Sequence, residues 1–216
     1  IPEGVSDEEA AYVADMMSTG FMAAENADIP MGGTVAVFAL GPVGLMAVKG
    51  AALQGAGRII GVEAVPERIE LARQYGADDV VNFEEEDPVE VITALTDGEG
   101  VDAAIEALGA NAAFESCIAV TKPGGTVSNV GYHGQGEYVN IPRSEWGVGM
   151  AEKDIVTGLC PGGRLRLQRL LRLLDEGRVD PTPMTTHEFD FAAVDEAFEL
   201  MESKEDGIIK PLVDFT

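Results

Sequence analysis

The chain has 216 residues, enough for one large α/β core or for one domain and part of another. Its 38 acids against 14 Lys and Arg give a net charge of −24, which repels phosphate backbones and sets nucleic acid aside as a partner. No apolar run reaches the length of a membrane span and no basic-then-apolar leader opens the sequence, so a cytoplasmic protein with no membrane partner is expected.

The acids are spread along the chain, at 7–9, 84–87, 175–176, 195–196 and 202–206, which fits a solvated surface adapted to concentrated salt. The other reading of the same charge is an acidic patch that faces a partner. Cys117 and Cys160 are too few and too isolated for a disulfide framework or a metal knuckle, and both read as small buried apolar residues. His133 and His187 are far apart and near no cysteine pair, so spacing alone assembles no metal site. The opening Ile1-Pro2-Glu3-Gly4 reads as the interior of a longer protein.

Ser6 followed by Glu9 is a helix-capping pair, and Ala10 to Met17 continue as a helix. Asp15 falls among Ala14, Met16 and Met17. On an apolar helical face a carboxylate there needs a partner or a cation; otherwise it is a surface acid. Val35 to Ala39 form an apolar, partly β-branched strand, after which Gly41, Pro42 and Gly44 turn the chain into a helix, Val43 to Gln54, whose only charge is Lys49. Arg58 to Val62 form the next strand, and Glu63 ends it, 19 residues beyond Gly44. The spacing predicts a dinucleotide fold: Gly41, Pro42, Val43 and Gly44 place a pyrophosphate on the helix N-terminus, and Glu63 accepts the ribose hydroxyls. Ala39 stands where the first glycine of that fingerprint is usual.

The alternation continues through a helix from Pro66 to Tyr75, a strand from Asp79 to Phe83, a helix from Pro88 to Thr96, a strand from Val101 to Ala107, a helix from Asn111 to Thr121 and a strand from Gly124 to Gly131. Five such alternations with short turns predict an α/β fold with a doubly wound parallel sheet, a Rossmann fold. Arg68, near the start of its helix, reaches the adenosine ribose or is simply solvated. Ala107 to Gly109 and Val130 to Tyr132 occupy strand ends, where such sheets bind ligands; they hold the nicotinamide half, with Tyr132 over the ring, or they are ordinary loop residues. Tyr138 to Ile141 and Asp154 to Leu159 read as two further strands, the second at the sheet edge and suited to pairing with another copy. Leu167, Leu170, Leu171 and Leu174 have helical spacing, as do Val194, Ala197, Phe198 and Met201, and Ile208 to Phe215 read as a terminal strand.

Asp15-Met16-Met17-Ser18-Thr19-Gly20-Phe21, Gly41-Pro42-Val43-Gly44-Leu45-Met46-Ala47-Val48, Gly55-Ala56-Gly57-Arg58-Ile59-Ile60, Gly100-Val101-Asp102-Ala103-Ala104, Glu145-Trp146-Gly147-Val148-Gly149-Met150-Ala151 and Gly158-Leu159-Cys160-Pro161-Gly162-Gly163-Arg164-Leu165-Arg166 carry a resemblance over nearly the whole chain. The sequence resembles the zinc-dependent medium-chain dehydrogenases, most closely the prokaryotic secondary alcohol dehydrogenases. The resemblance implies that Asp15 is the third ligand of a catalytic zinc and that the first two, a Cys and a His, belong to an N-terminal domain absent from these 216 residues. It divides the chain into a remnant of the catalytic domain and linking helix at 1–18, an NAD-binding Rossmann domain at 19–159, and a segment at 160–216 that returns to the catalytic domain. It also implies a small alcohol or ketone as substrate and a homodimer or homotetramer through the sheet edge. Members that use NADP carry Gly-Ser-Arg where this chain has Glu63-Ala64-Val65, and Tyr where it has Phe83. A carboxylate at that place repels a 2′-phosphate, so NAD is expected. The alternatives are a sugar or polyol dehydrogenase of the same family and a non-catalytic nucleotide-binding module.

Overall fold

A computed structural model describes residues 1–215. Its centre is a six-stranded parallel sheet built from β1 (Thr34–Phe38), β2 (Arg58–Val62), β3 (Asp79–Val81), β4 (Val101–Glu106), β5 (Thr121–Asn129) and β6 (Asp154–Thr157), in the order β3-β2-β1-β4-β5-β6. Such an order requires helical crossovers on both faces, and the sheet is accordingly buried on both. Val35 and Val37 pack into one core with Ile59, Ala103 and Ile105, while the intervening Ala36 and Phe38 pack into the other with Ile60, Val62 and Ala104. The two-residue period of a strand thus supplies both layers. As the sequence predicts, the fold is α/β with a Rossmann-type sheet.

The helices of the core are α1 (Asp7–Val13), α2 (Met16–Asn26), α3 (Pro42–Gln54), α4 (Pro66–Tyr75), α5 (Pro88–Leu95) and α6 (Asn111–Val120). Helix α3, nearly free of charge, is buried between the sheet and α2. The two helices cross closely at glycines: a Cβ on Gly20 would lie 2.5 Å from Met46 Cβ and 2.6 Å from Val43 O, and one on Gly50 would lie 2.9 Å from Phe21 Cδ1. Beyond the sheet come α7 (Arg164–Asp175), β7 (Thr185–Asp190), α8 (Val194–Ser203) and β8 (Lys210–Asp214), with β7 and β8 pairing in parallel. These residues do not stand apart. Leu170, Leu174, Val179, Met184 and Ile209 are buried in the core that contains α2 and α3. Tyr12 Oη lies 2.6 Å from Thr185 Oγ1, and Tyr75 Oη donates to Asp180 O at 2.8 Å.

Several local expectations differ from what the fold shows. The first helix does not run through to Met17: α1 stops at Val13 and Asp15, at φ −136° and ψ −67°, breaks it before α2 begins. Helix α2 continues to Asn26 through Ser18, Thr19 and Gly20, residues of modest or poor helix propensity kept there by burial and by the glycine crossing. Residues 138–141 are not a strand but an exposed coil, because no neighbouring strand is available to pair with them. The edge strand expected at 154–159 does exist as β6, shorter by two residues. Along α8 only Ala197 is buried, and Phe198 is 71% exposed, so its apolar stripe is wider than the face that β7 and β8 cover.

Candidate functional site

At the C-terminal ends of β1, β2 and β4 the strand order reverses, and between the loops that leave in opposite directions lies a cavity of about 410 Å³. Phe38, Ala39, Glu63, Arg68 and Phe83 line one side; Leu108, Ala110, Ala113 and Ser116 line the other. Two residues beyond Ala39, which lines the cavity, α3 begins with Gly41 as N-cap and Pro42 at the first helical position. Pro42 has no N–H to lose, and the first-turn amides beyond it have no intrahelical partner, so this end of α3 presents donors and a positive dipole end to an anion. The backbone there is tight. Ala39 is left-handed at φ 69°, and a Cβ on Gly44 would collide with the Ala39 carbonyl oxygen.

Glu63 is 5% exposed and heavily engaged. Its Oε2 accepts from Leu40 N at 3.0 Å and lies 3.5 Å from Arg68 Nη1, while Oε1 accepts from Ala64 N at 2.9 Å and Val65 N at 3.3 Å. The residue expected only to receive ribose hydroxyls also fastens the turn after β2 to the turn after β1. Arg68 is not a solvated helix residue: its side chain is 12% exposed, pairs with Glu63, and leaves a buried Nε without a partner. Lys204, which caps α8 in the left-handed conformation, also lines the cavity, and its distance in sequence from the fingerprint hid it.

The second pair of expected positions lies nearby. Ala107 N donates to Phe38 O at 3.1 Å and Val130 N to Glu106 O at 2.9 Å. Gly109, left-handed at φ 87°, presses against the Tyr132 backbone so closely that no Cβ would fit. Tyr132 is 88% exposed and borders an outer recess with Leu108, Gly109 and Ala110. The sequence reading missed Glu106, which is fully buried at the end of β4. Its Oε1 accepts from Leu108 N at 3.0 Å and Gly109 N at 2.8 Å. The signal was available: an acid closing the apolar run Ala103-Ala104-Ile105, as Glu63 closes its own strand.

Asp15 is exposed, at the junction of α1 and α2, and its Oδ1 accepts from Thr19 Oγ1 at 2.8 Å. The apolar helical face imagined for it does not exist at the break. Ser18 Oγ donates to Pro161 O at 2.6 Å and Cys160 Sγ lies 3.5 Å from Ala14 O, so the segment after β6 comes back beside Asp15. Cys160 is therefore half-buried rather than part of the core, unlike Cys117. Among the described residues no three His, Cys, Asp or Glu side chains converge on a metal position. A catalytic zinc takes three protein ligands. The residues of this chain by themselves do not fit one.

A family model described as a zinc-binding dehydrogenase matches residues 42–176, more than half of the chain. The chain belongs to the zinc-binding dehydrogenase family. Over 214 residues this family member is 50% identical to the NADP-dependent isopropanol dehydrogenase of Thermoanaerobacter brockii, a match that covers 99% of the chain and 61% of that protein. It is 45% identical over 210 residues to an alcohol dehydrogenase of Cupriavidus necator, covering 97% of the chain and 57% of the relative. Among solved structures, the alcohol dehydrogenase of Thermus sp. ATN1 superposes with a TM-score of 0.90 at 31% identity, over all of the chain and 61% of its own length. The chain thus spans about three-fifths of the length of these relatives. Among its described residues no helix is long and apolar enough to cross a membrane.

Proposed function

We propose that this chain is the coenzyme-binding part of an NAD-dependent alcohol dehydrogenase, with residues 1–18 and 160–216 meeting the remainder of the protein. The observation that carries this reading is the cavity at the strand-order reversal, with Glu63 on its wall beside Ala39, two residues before the N-cap of α3. Backbone N–H groups at Val43 and Gly44 receive the pyrophosphate, Glu63 and Arg68 meet the adenosine ribose, and Ala107, Gly109, Val130 and Tyr132 frame the nicotinamide end. The bound dinucleotide supplies the hydride acceptor or donor; this chain's residues bind it, orient it and keep water from its adenosine half.

NAD is preferred over NADP for an electrostatic reason. A 2′-phosphate would stand against a carboxylate that is already buried and satisfied. Arg68 and Lys204 favour a phosphate, but Arg68 is committed to Glu63 and Lys204 is exposed, where screening weakens it. Calorimetry with both dinucleotides tests the assignment on the wild-type chain and on Glu63→Gly combined with Val65→Arg. The ratio of affinities is the quantity to read, since Glu63 also supports the turn. It moves toward NADP by at least about tenfold in the double variant, the worth of one charged hydrogen bond lost and one gained. An unmoved ratio refutes the role of Glu63. The chain binds nucleotide without oxidising 2-propanol, because Asp15 alone holds no zinc; turnover by the purified 216-residue chain would contradict that. Pairing of two copies through the open edge of β6 gives the oligomer.

A further inference from the structure

Glu106 and His133 stand outside every role given above, yet both are buried ionisable groups beside the nicotinamide end of the proposed site. Glu106 is 0% exposed, and the His133 side chain 13%. The carboxylate divides its two oxygens between two loops. Oε1 accepts from Leu108 N and Gly109 N, with Ala110 N at 3.4 Å, and so gathers the loop after β4. Oε2 has no hydrogen bond and faces His133 Nε2, from the loop after β5, at 3.7 Å. That nitrogen carries the proton: it lies 2.9 Å from Asn129 Oδ1, an acceptor whose amide nitrogen is itself engaged with Gly131 O at 3.2 Å. The N–H therefore bonds to Asn129, while the unpartnered carboxylate oxygen faces the same edge of the ring at 3.7 Å, an electrostatic contact and not a hydrogen bond. The ring is held in place edge-on to Phe114, with centroids 5.7 Å apart. Glycines make the approach possible, since a Cβ on Gly131 would run into Glu106 Oε2 and one on Gly109 would meet Tyr132 N at 2.7 Å. The remaining titratable neighbour is Cys117 of α6, whose thiol is pushed up by burial and by Glu106 and so stays uncharged.

We propose that Glu106 and His133 are positioning residues: a buried clasp that locks the loops after β4 and β5 to one another and so sets the floor on which the nicotinamide end of the dinucleotide rests. The carboxylate makes the clasp, because three backbone N–H groups of one loop converge on its Oε1 while its Oε2 stands against the polar edge of the imidazole from the other, away from water. The claim rests on the nucleotide reading above, and two measurements keep the two separable.

The first needs no ligand. Hydrogen exchange at Leu108, Gly109 and Ala110 should accelerate at least about tenfold in His133→Phe, which keeps the ring beside Phe114 but removes the N–H. The second compares NAD with AMP, which carries only the adenosine half. His133→Phe binds AMP within about twofold of the wild-type chain and loses at least about tenfold in NAD affinity, whereas Glu106→Ala, which also frees Leu108 and Ala110 on the wall of the adenosine cavity, loses more in NAD than in AMP affinity. Glu106→Gln, whose amide oxygen can accept the same backbone donors, recovers part of that loss. Equal losses of AMP and NAD, or unchanged exchange together with an unchanged NAD to AMP ratio, would overturn the clasp. A wild-type chain that binds neither AMP nor NAD overturns the nucleotide reading instead, and the clasp then stands or falls on the exchange rates. If Glu106→Ala does not fold, His133→Phe alone decides.

Discussion

Gly44→Ala should damage both stability and nucleotide binding, and the size of the effect follows from the surroundings of α3. A Cβ at 44 would overlap the Ala39 carbonyl oxygen and lie 3.0 Å from the carbonyl carbon, more than about 1 Å short of ordinary packing distance to the oxygen. Neither atom can rotate away, since both belong to backbone. Helix α3 cannot retreat either, because its other side is held at Gly20, where Val43 O and Met46 Cβ already occupy the space of a side chain. Overpacking in a core costs about 1–3 kcal/mol when neighbours can adjust. With both faces fixed, about 3 kcal/mol is expected, or roughly 6–12 °C in the melting temperature of a chain this size. Circular dichroism melting and NAD calorimetry read the two losses. Ala39→Gly supplies the control of opposite sign: it relieves a left-handed alanine at φ 69°, worth about 1–2 kcal/mol, less about 0.5–1 for the greater freedom of unfolded glycine. It should not rescue Gly44→Ala, because the colliding oxygen remains. A melting temperature for Gly44→Ala within about 2 °C of wild type, or rescue by Ala39→Gly, would refute the account.

At the opposite end of the sheet, Asp102 accepts from Thr34 N at 2.8 Å and pairs with Lys122 Nζ at 2.5 Å. Burial raises its carboxyl pKa, but these bonds outweigh burial and hold it below the usual range. A depressed acid contributes its stability above the unfolded value, about 3.9, and loses it as pH falls through the lower folded value. Asp102→Asn should therefore cost about 1 kcal/mol at pH 7, with Lys122 partly screened, and the gap to wild type should close in acid melts; a gap that widens in acid contradicts the assignment. Thiol reagents should modify one cysteine of the native chain, the half-buried Cys160, and reach Cys117 only on unfolding, since burial keeps that thiol protonated. Two fast thiols in the native state would show that α6 is not packed as described. With a net charge of −24, the melting temperature should climb as KCl is raised into the molar range, and a flat response would remove the salt-adapted reading of the surface.

The sheet was legible because its signals are local and repeated. Apolar β-branched runs end in glycine or acid, and a nearly uncharged helix such as 43–54 has nowhere to lie but against a sheet. Helix α2 was hidden for the converse reason, since Ser18-Thr19-Gly20 weakens any local preference and only the crossing with α3 at Gly20 makes a helix of it. Residues 138–141 have the aromatic and β-branched content of a strand, but pairing is a property of neighbours and none is there. Asp15 was singled out for the wrong surroundings: it sits in a break between helices, beside a segment that returns from beyond β6, a proximity that no spacing rule contains.

The acids at the strand ends carry the deeper point. Glu63 and Glu106 close β2 and β4, and each turns back to collect backbone N–H groups from the loop that follows. A parallel sheet leaves unpaired amides where its strands stop, and a carboxylate satisfies two or three of them at once while keeping the turn rigid. Sequence spacing singled out one of the two as a candidate ligand-binding residue because a dinucleotide pattern includes an acid at that distance. The structure shows Glu63 performing the same structural task as Glu106, which has no access to solvent, and the ribose contact proposed for Glu63 is added to that task. On the proposed reading, replacing Glu63 measures two things together, the turn and the ribose, whereas the affinity ratio between two dinucleotides cancels the first and leaves the second.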